Sequence, residues 1–429
     1  MNPADTVFMI LSTILVLFMT PGLAFFYGGL VSKRNVVSTM LSVFVICGLA
    51  ILLFVMVGSQ LAFNGDIGGV VGHVQHWWLT DANLMRTTAT GIPEAVYLLF
   101  EMMFAVITPA LFVGAVVGRI RFNFLLAFIV LWSLVVYYPM VHMVWSPNGL
   151  LAKLGVLDFA GGTVVHINAG VTAYVLSAFL GRRLRPATNH PYNLPWVLCG
   201  TTILWVGWYG FNAGSALAIN GVAVTAMLTT TVATATSMMT WMGLEALPHR
   251  RVTLTGICTG TLCGLVGITP AAGYVTVNGA LWIGVLATLA SYGFVHVLKP
   301  LIGIDDALDA FGCHGVAGIT GSILTGLFAT HQVNRAVIHD GLFYGGGWHL
   351  LGIQTVATVV TMLMVAVTSG LLIWGLRRFI PMRVSAQDER IGLDESEHGE
   401  RVETKDPYAS HLLQHQEDFA GQLARLRHH

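Results

Sequence analysis

The chain has 429 residues, of which 55% are hydrophobic and 10% charged, with a mean hydropathy of +0.73. A soluble globular protein carries about 25% charged residues, so most of this chain is built to be surrounded by lipid. Twenty-one basic residues balance 21 acidic ones, which excludes the one-signed basic field of a nucleic-acid binder.

A membrane-crossing helix needs about 20 largely apolar residues. With glycine, proline and charge clusters as breaks, eleven segments qualify: 6–31, 36–62, 93–117, 122–142, 162–180, 194–213, 222–244, 253–270, 279–298, 312–329 and 348–376. The opening MNPADT lacks a positive n-region and the first apolar run is long, so it reads as a retained span and not a signal peptide. The fold class expected is an all-α polytopic membrane protein with eleven transmembrane helices.

Loop charges set the orientation. Ten basic residues fall in alternate loops: Lys33, Arg34, Arg119, Arg121, Arg182, Arg183, Arg185, Arg250, Arg251 and Lys299. The opposite loops hold three: Arg86, Lys153 and Arg335. The positive-inside rule then puts the N-terminus outside. An odd number of spans delivers the C-terminus to the cytoplasm; the expected location is the plasma (inner) membrane. Residues 1–380 form the eleven-span membrane domain and 381–429 a polar cytoplasmic tail, in which 411–427 has the pattern of a short amphipathic helix.

The stretch DFAGGTVVHINAG (158–170) has an echo. Asp158 and His166 open D-x7-H-x-x-A-G, and Asp306 and His314 open it again. The two copies start the fifth and tenth spans, so spans 1–5 and 6–10 form an inverted five-helix repeat. In transporters such repeats place a substrate site near the midplane.

Of 16 histidines, only His142, His166, His296 and His314 fall in or beside spans. A charged group in a bilayer costs from about 2.5 to more than 10 kcal/mol, so these are functional candidates. His166 and His314 would be neutral, and able to hydrogen-bond to each other across the pseudo-twofold axis. His142 and His296, taken singly, read as structural. Asp158 and Asp306 sit at helix starts, where a carboxylate caps amides; Asp158 is also readable as part of an electrostatic route for a cation. Phe100 and Phe104 share one face of the third span, and Phe211 lies in the sixth; taken by themselves, such aromatics read as core. Trp145 reads as a belt residue, whose face would hold a cation by about 0.5–2 kcal/mol. The five cysteines show no metal or disulfide spacing.

Seven motifs stand in order: PGLAFFYGGL (21–30), RIRFN (119–123), HMVW (142–145), DFAGGTVVHINAG (158–170), GWYGFNAGSAL (207–217), GITPAAGY (267–274) and DAFGCHGVAGITG (309–321). With them the chain resembles the Amt/Mep/Rh ammonium transporter family, the Amt branch in particular, over about residues 5–400. The tail segment ERIGLDESEHGE (389–400) is similar to the family's cytoplasmic signature. The resemblance implies a homotrimer with one pore per protomer, an ammonium (and methylammonium) substrate, no cofactor, no enzymatic activity, and a PII-type partner on the cytoplasmic face.

Carried onto this sequence, the resemblance makes Phe100, Trp145 and Ser215 the external recruitment site. Phe104 and Phe211 become the gate, and His166 and His314 the twin-histidine pair. Asp158, Trp208 and Thr269 become supporting residues. The pairing of Trp145 with Ser215 favours Amt over Rh. Glu101 departs from the pattern, since bacterial Amt proteins often carry glutamine there; its carboxylate suits either cation attraction or a hydrogen bond between helices. Two other classes stay open: an ammonium sensor signalling through the tail, and a haem or metal protein using His142, His166 and His314, for which no redox motif is present.

Overall fold

The computed structural model describes residues 1–79, 84, 86–184, 191–247 and 251–402. The expected amphipathic helix at 411–427, like Arg185 and Arg250, lies outside the described residues. Each of the eleven expected segments contains a helix. They are α1 (Pro3–Leu30), α2 (Lys33–Phe63), α3 (Glu94–Val116), α4 (Phe122–Lys153, interrupted after Trp145), α5 (Gly162–Leu180) and α6 (Leu194–Gly214). Then follow α7 (Gly221–Glu245), α8 (Leu254–Ile268), α9 (Val277–Ile302), α10 (Phe311–Phe328) and α11 (His349–Leu376). Among the described residues nine helices are long and apolar enough to cross a membrane. The two others are α6, with 21 residues, and α8, with 15.

Helix starts carry the polar residues that their free amides require. Asn2 Oδ1 accepts from the Ala4 and Asp5 amides ahead of Pro3. Asn193, Asn220, Thr253 and Thr276 cap α6, α7, α8 and α9 in the same way. Glycines then set how closely helices approach, as is usual where lipid gives no hydrophobic drive for helix pairing. Along α1 and α6, Gly29 lies against Asn193 and Val197, Gly200 against Gly22 and Phe26, and Gly210 against Ser12 and Leu15. The contacts run in opposite order along the two helices, so the first helices of the two halves pack antiparallel. A Cβ at Gly200 would stand 2.4 Å from the Phe26 nitrogen.

The fifth helices of the halves, α5 and α10, repeat this relation. Both begin with π-helical turns, Gly162–Ile167 and Phe311–Val316. The fourth helices, α4 and α9, also share π turns, at Ser133–Tyr137 and Phe294–Leu298. Such bulges are uncommon and cluster at functional sites. The π turns that open α5 and α10, each carrying its motif's histidine, extend the repeat that the two D-x7-H-x-x-A-G copies announced.

At the arginine-bearing end, the first part of the tail is folded onto the helices. Two short helices, α12 (Ala386–Ile391) and α13 (Leu393–His398), follow α11. Asp394 Oδ1 accepts from the Ser38 amide at the start of α2, 2.8 Å. Glu397 Oε2 accepts from the Phe122 amide at the start of α4, 3.1 Å. Neither helix start has a side-chain cap of its own, so the tail supplies both.

Arg119, fully buried, donates from Nε to the Gly181 carbonyl (3.0 Å) and from Nη2 to the Asp305 carbonyl. Asp305 in turn holds Arg183 through Nε (2.9 Å), Nη2 (2.7 Å) and the backbone amide (2.8 Å). Burial by itself would raise the Asp305 carboxyl, but the Arg183 hydrogen bonds and the Arg119 charge outweigh it and hold it at about 2. A depressed carboxylate stabilises the fold above its unfolded value of about 3.9 and ceases to do so as pH falls through the folded value. Asp305→Asn is therefore expected to lower the melting temperature at neutral pH. The gap from the native chain should narrow as pH falls from about 4 to about 2. Its size is modest because the pair is partly exposed to solvent; a gap constant with pH would refute the assignment.

Candidate functional site

α5 and α10 cross where their glycines fall. A Cβ at Gly170 would lie 2.2 Å from the Gly315 nitrogen, and one at Gly318 would meet His166 Cβ at 3.1 Å and the Gly162 carbonyl at 3.3 Å. The A-G ending of each motif copy thus presses its helix against the other copy's histidine turn. The imidazoles of His166 and His314 meet there, with ring centroids 5.4 Å apart and planes 11° from parallel. Both ring nitrogens of His166 and Nδ1 of His314 are buried with no hydrogen-bond partner. This corrects the expectation of a direct hydrogen bond between the pair. The two rings are nearly parallel, and no hydrogen bond joins their nitrogens.

Aromatic rings continue from that pair. His166 stacks on Trp208 (5.3 Å, 12°) and approaches Phe211 (5.8 Å, 28°). Phe211 packs on Phe104 at 4.5 Å, and Phe104 meets Phe100 at 5.0 Å and Trp145 edge-on at 5.5 Å. Five helices therefore deliver one line of rings: α3 gives Phe100 and Phe104, α4 Trp145, α5 His166, α6 Trp208 and Phe211, and α10 His314. Phe100, Phe104, Trp208, Phe211 and His166 are each no more than 1% exposed.

Neighbouring polar groups fix this line in place. Asp158 Oδ1 accepts from the Gly161 amide (3.1 Å), and Oδ2 from the amides of Thr163 (3.0 Å) and Val164 (3.1 Å). Its backbone carbonyl accepts from Trp145 Nε1 at 3.1 Å. One residue therefore ties the start of the His166 helix to Trp145. Asp306 repeats the arrangement for α10, accepting from the Ala310 and Phe311 amides at 3.0 and 2.7 Å. Trp208 Nε1 donates to Thr269 Oγ1 at 2.9 Å, and Thr269 donates to the Leu265 carbonyl at 2.8 Å. Ser215 donates to the Phe211 carbonyl at 2.9 Å, which occupies its proton and leaves its oxygen free to accept.

Glu101 follows Phe100 on α3; its Oε2 is buried without a hydrogen-bond partner. His296 lies away from the line, against Tyr292 (4.2 Å) and Trp241 (5.9 Å). His142 is fully buried one turn before Trp145 and bonds to Asp66 of the α2–α3 connection, Nε2 to Oδ1 3.1 Å. That partner was invisible in the sequence, where residues 64–91 carry no motif; only the unusual buried histidine hinted at it. Among the described residues no group of three or more His, Cys, Asp or Glu side chains is placed to hold a metal ion, so His142, His166 and His314 do not converge. At the opposite end a cavity of about 160 Å³ is lined by residues that include Val31, Asn35, Val117, Arg183 and Leu308.

The profile of the Ammonium Transporter Family matches residues 7–403. The chain is 42% identical over 403 residues to an ammonium transporter of Aquifex aeolicus, covering 94% of each chain. It is similar to the crystal structure of Saccharomyces cerevisiae Mep2, with TM-score 0.82 and 31% identity over 90% of this chain and 88% of that one. It is also similar to a solved structure titled Sensor Amt Protein, with TM-score 0.82 and 26% identity over 92% of this chain and 98% of that one. Many apolar helices, the motifs in order and a family match along nearly the whole described chain converge on one conclusion: this multi-pass membrane protein belongs to the ammonium transporter family.

Proposed function

We propose that the chain recruits ammonium at an outer aromatic site, strips it of a proton and conducts ammonia past the two histidines. The observation that carries this reading is the line of buried rings ending on two imidazoles with unpartnered nitrogens. The faces of Phe100 and Trp145 offer cation–π attraction of about 0.5–2 kcal/mol, and the free lone pairs of Ser215 accept an N–H of the ion. Beyond Phe104 and Phe211 a bare cation would lose its hydration without replacement. An ammonium ion escapes that cost by leaving its proton behind, and a potassium ion cannot. Neutral ammonia can then use the imidazole nitrogens, each of which donates or accepts according to its proton. Transport with net charge transfer needs a route for the proton as well, for which the histidine pair is the natural relay. Asp158 serves as scaffold for both ends of the site, and Glu101 adds a buried carboxyl beside Phe100.

The same reading includes eleven spans, with the N-terminus outside and the tail in the cytoplasm of a cell whose plasma membrane holds a homotrimer. Basic inner loops and the docked tail form a surface suited to a PII-type regulator. Purified protein in proteoliposomes is expected to give saturable inward currents on ammonium and methylammonium pulses, and none with potassium. Measurable ammonium binding without current would replace transport by sensing. That second reading is favoured by one observation, the tail's capping of the α2 and α4 starts, which links the tail to the helix that carries Trp145.

A further inference from the structure

His142 has an oxygen acceptor at each ring nitrogen. Nδ1 lies 2.9 Å from the Ala62 carbonyl of α2, and Nε2 lies 3.1 Å from Asp66 Oδ1. A carbonyl can only accept, and an ionised carboxylate can only accept, so satisfying both requires two N–H groups on the ring. The geometry therefore calls for an imidazolium, buried and paired with a carboxylate. Its hydrogen bond holds the Asp66 carboxyl below the usual carboxylate range.

The pair closes a strap over the outer end of α4. Asp66 Oδ1 also accepts from the Gly69 amide at 2.7 Å, and the Ile67 amide donates to Val71 at 2.7 Å. Gly65, Gly68 and Gly69, at φ of +62°, +65° and +74°, allow this tight path, which other residues adopt only at a cost. The Gly69 carbonyl then accepts from the Leu150 amide at 2.8 Å. The strap thus grips the chain on both sides of Trp145, at His142 before it and at Leu150 after it. The other charged or titratable groups placed against it are Lys153, whose Nζ is 3.8 Å from Asp66 Oδ2 and half-exposed, and His73, whose ring packs on Gly65.

We propose that the His142–Asp66 pair is a protonation-dependent positioning device for Trp145. It locks the strap and the recruitment site while His142 is an imidazolium, and releases them when that proton is lost. The inference rests on the transport reading above. Loss of either ring proton turns a lone pair toward an oxygen that can only accept, the Ala62 carbonyl or the Asp66 carboxylate, so the full lock is present at low external pH and lost as pH rises. The sense is economical: recruitment weakens when more of the external pool is already uncharged ammonia.

The test is the apparent KM for ammonium currents in proteoliposomes, expressed per ammonium ion, at external pH from about 5.5 to about 8.5. The native chain should show KM rising about tenfold across this range, the loss of one charge-assisted hydrogen bond, with the maximal current unchanged. Asp66→Asn keeps an Oδ1 acceptor for the Gly69 amide but removes the carboxylate that favours the imidazolium, so its KM should be raised already at low pH and change little with pH. His142→Gln should show a high KM at every pH, and Lys153→Gln should retain the native profile. A KM that climbs with pH in Asp66→Asn and His142→Gln as in the native chain overturns the proposal. If the native protein passes no ammonium current, the transport reading fails, and the device is read by hydrogen–deuterium exchange of residues 64–72. After correction for intrinsic base catalysis, protection should fall with pH in the native chain and be low at every pH in both Asp66→Asn and His142→Gln. Protection independent of pH in the native chain sinks it.

Discussion

Proteoliposomes carrying His166→Asp are expected to pass potassium. His166 sits between Trp208 and His314, on the buried segment where the native site offers a cation rings and neutral nitrogens but no negative charge. There a bare ion faces a penalty of about 2.5 kcal/mol at least, and more than 10 by other measures. The native chain turns that penalty into selectivity, because only an ion able to shed a proton avoids it. A carboxylate at residue 166 repays dehydration directly with Coulomb attraction, which is strong where water is scarce. Even about 3 kcal/mol of such stabilisation changes the occupancy of the site by about 100-fold, without any proton leaving. Bi-ionic currents with potassium opposed to ammonium measure the ratio. Discrimination that survives in His166→Asp, together with an undiminished ammonium current, would end the proposed mechanism. His166→Gln provides the contrast: neutral and hydrogen-bonding, it should continue to exclude potassium while carrying less ammonium current.

Gly170→Val should cost the protein its folded state in detergent. The added Cβ would stand 2.2 Å from the Gly315 nitrogen and 2.3 Å from its Cα, so the clash is with backbone and no side-chain rotation relieves it. Separating α5 from α10 would also pull His166 from His314 and open a closely packed crossing at the site. Overpacking ordinarily costs about 1–3 kcal/mol, and a backbone clash lies at or beyond the top of that range. Gly48→Ala in α2, where a Cβ meets nothing within 4 Å, supplies the comparison. That change should be neutral or slightly stabilising, because alanine restricts the unfolded chain and favours helix. Thermal unfolding followed by monodispersity on size exclusion separates the cases. A Gly170→Val protein that melts like the native one would show that the crossing is looser than its geometry indicates.

The two predictions draw on different levels of description. His166 and His314 could be picked from the sequence because an ionisable group in an apolar run is costly, and because the motif D-x7-H-x-x-A-G occurs twice. Gly170 and Gly318 belong to that same motif, yet nothing in their spacing says that each presses on the other copy's helix. Asp158 shows the gap in another form. The sequence left it between helix cap and electrostatic route; the structure adds three amides on its carboxylate and the Trp145 indole on its carbonyl.

His142 and Asp66 mark the limit. They are 76 positions apart, one in a span and the other in a connection with no motif, and no periodicity joins them. Arg119 looks in sequence like any loop cation that marks the inner side, whereas in the fold it is buried and bridges Gly181 to Asp305.

By itself the sequence determined the membrane class, the order of the helical segments, the repeated motif and the residue types available for chemistry. Those are local quantities: an apolar run of sufficient length cannot be solvated by water, and it satisfies its own backbone hydrogen bonds as a helix wherever it lies. Only the tertiary structure decided that the two histidines stack without bonding to each other, that one line of rings runs from Phe100 and Trp145 to His314, and that a strap from the α2–α3 connection grips both sides of Trp145. Those depend on how helices cross. The crossing is set by the close approach of small residues from distant parts of the chain, a distance that no spacing along the sequence contains.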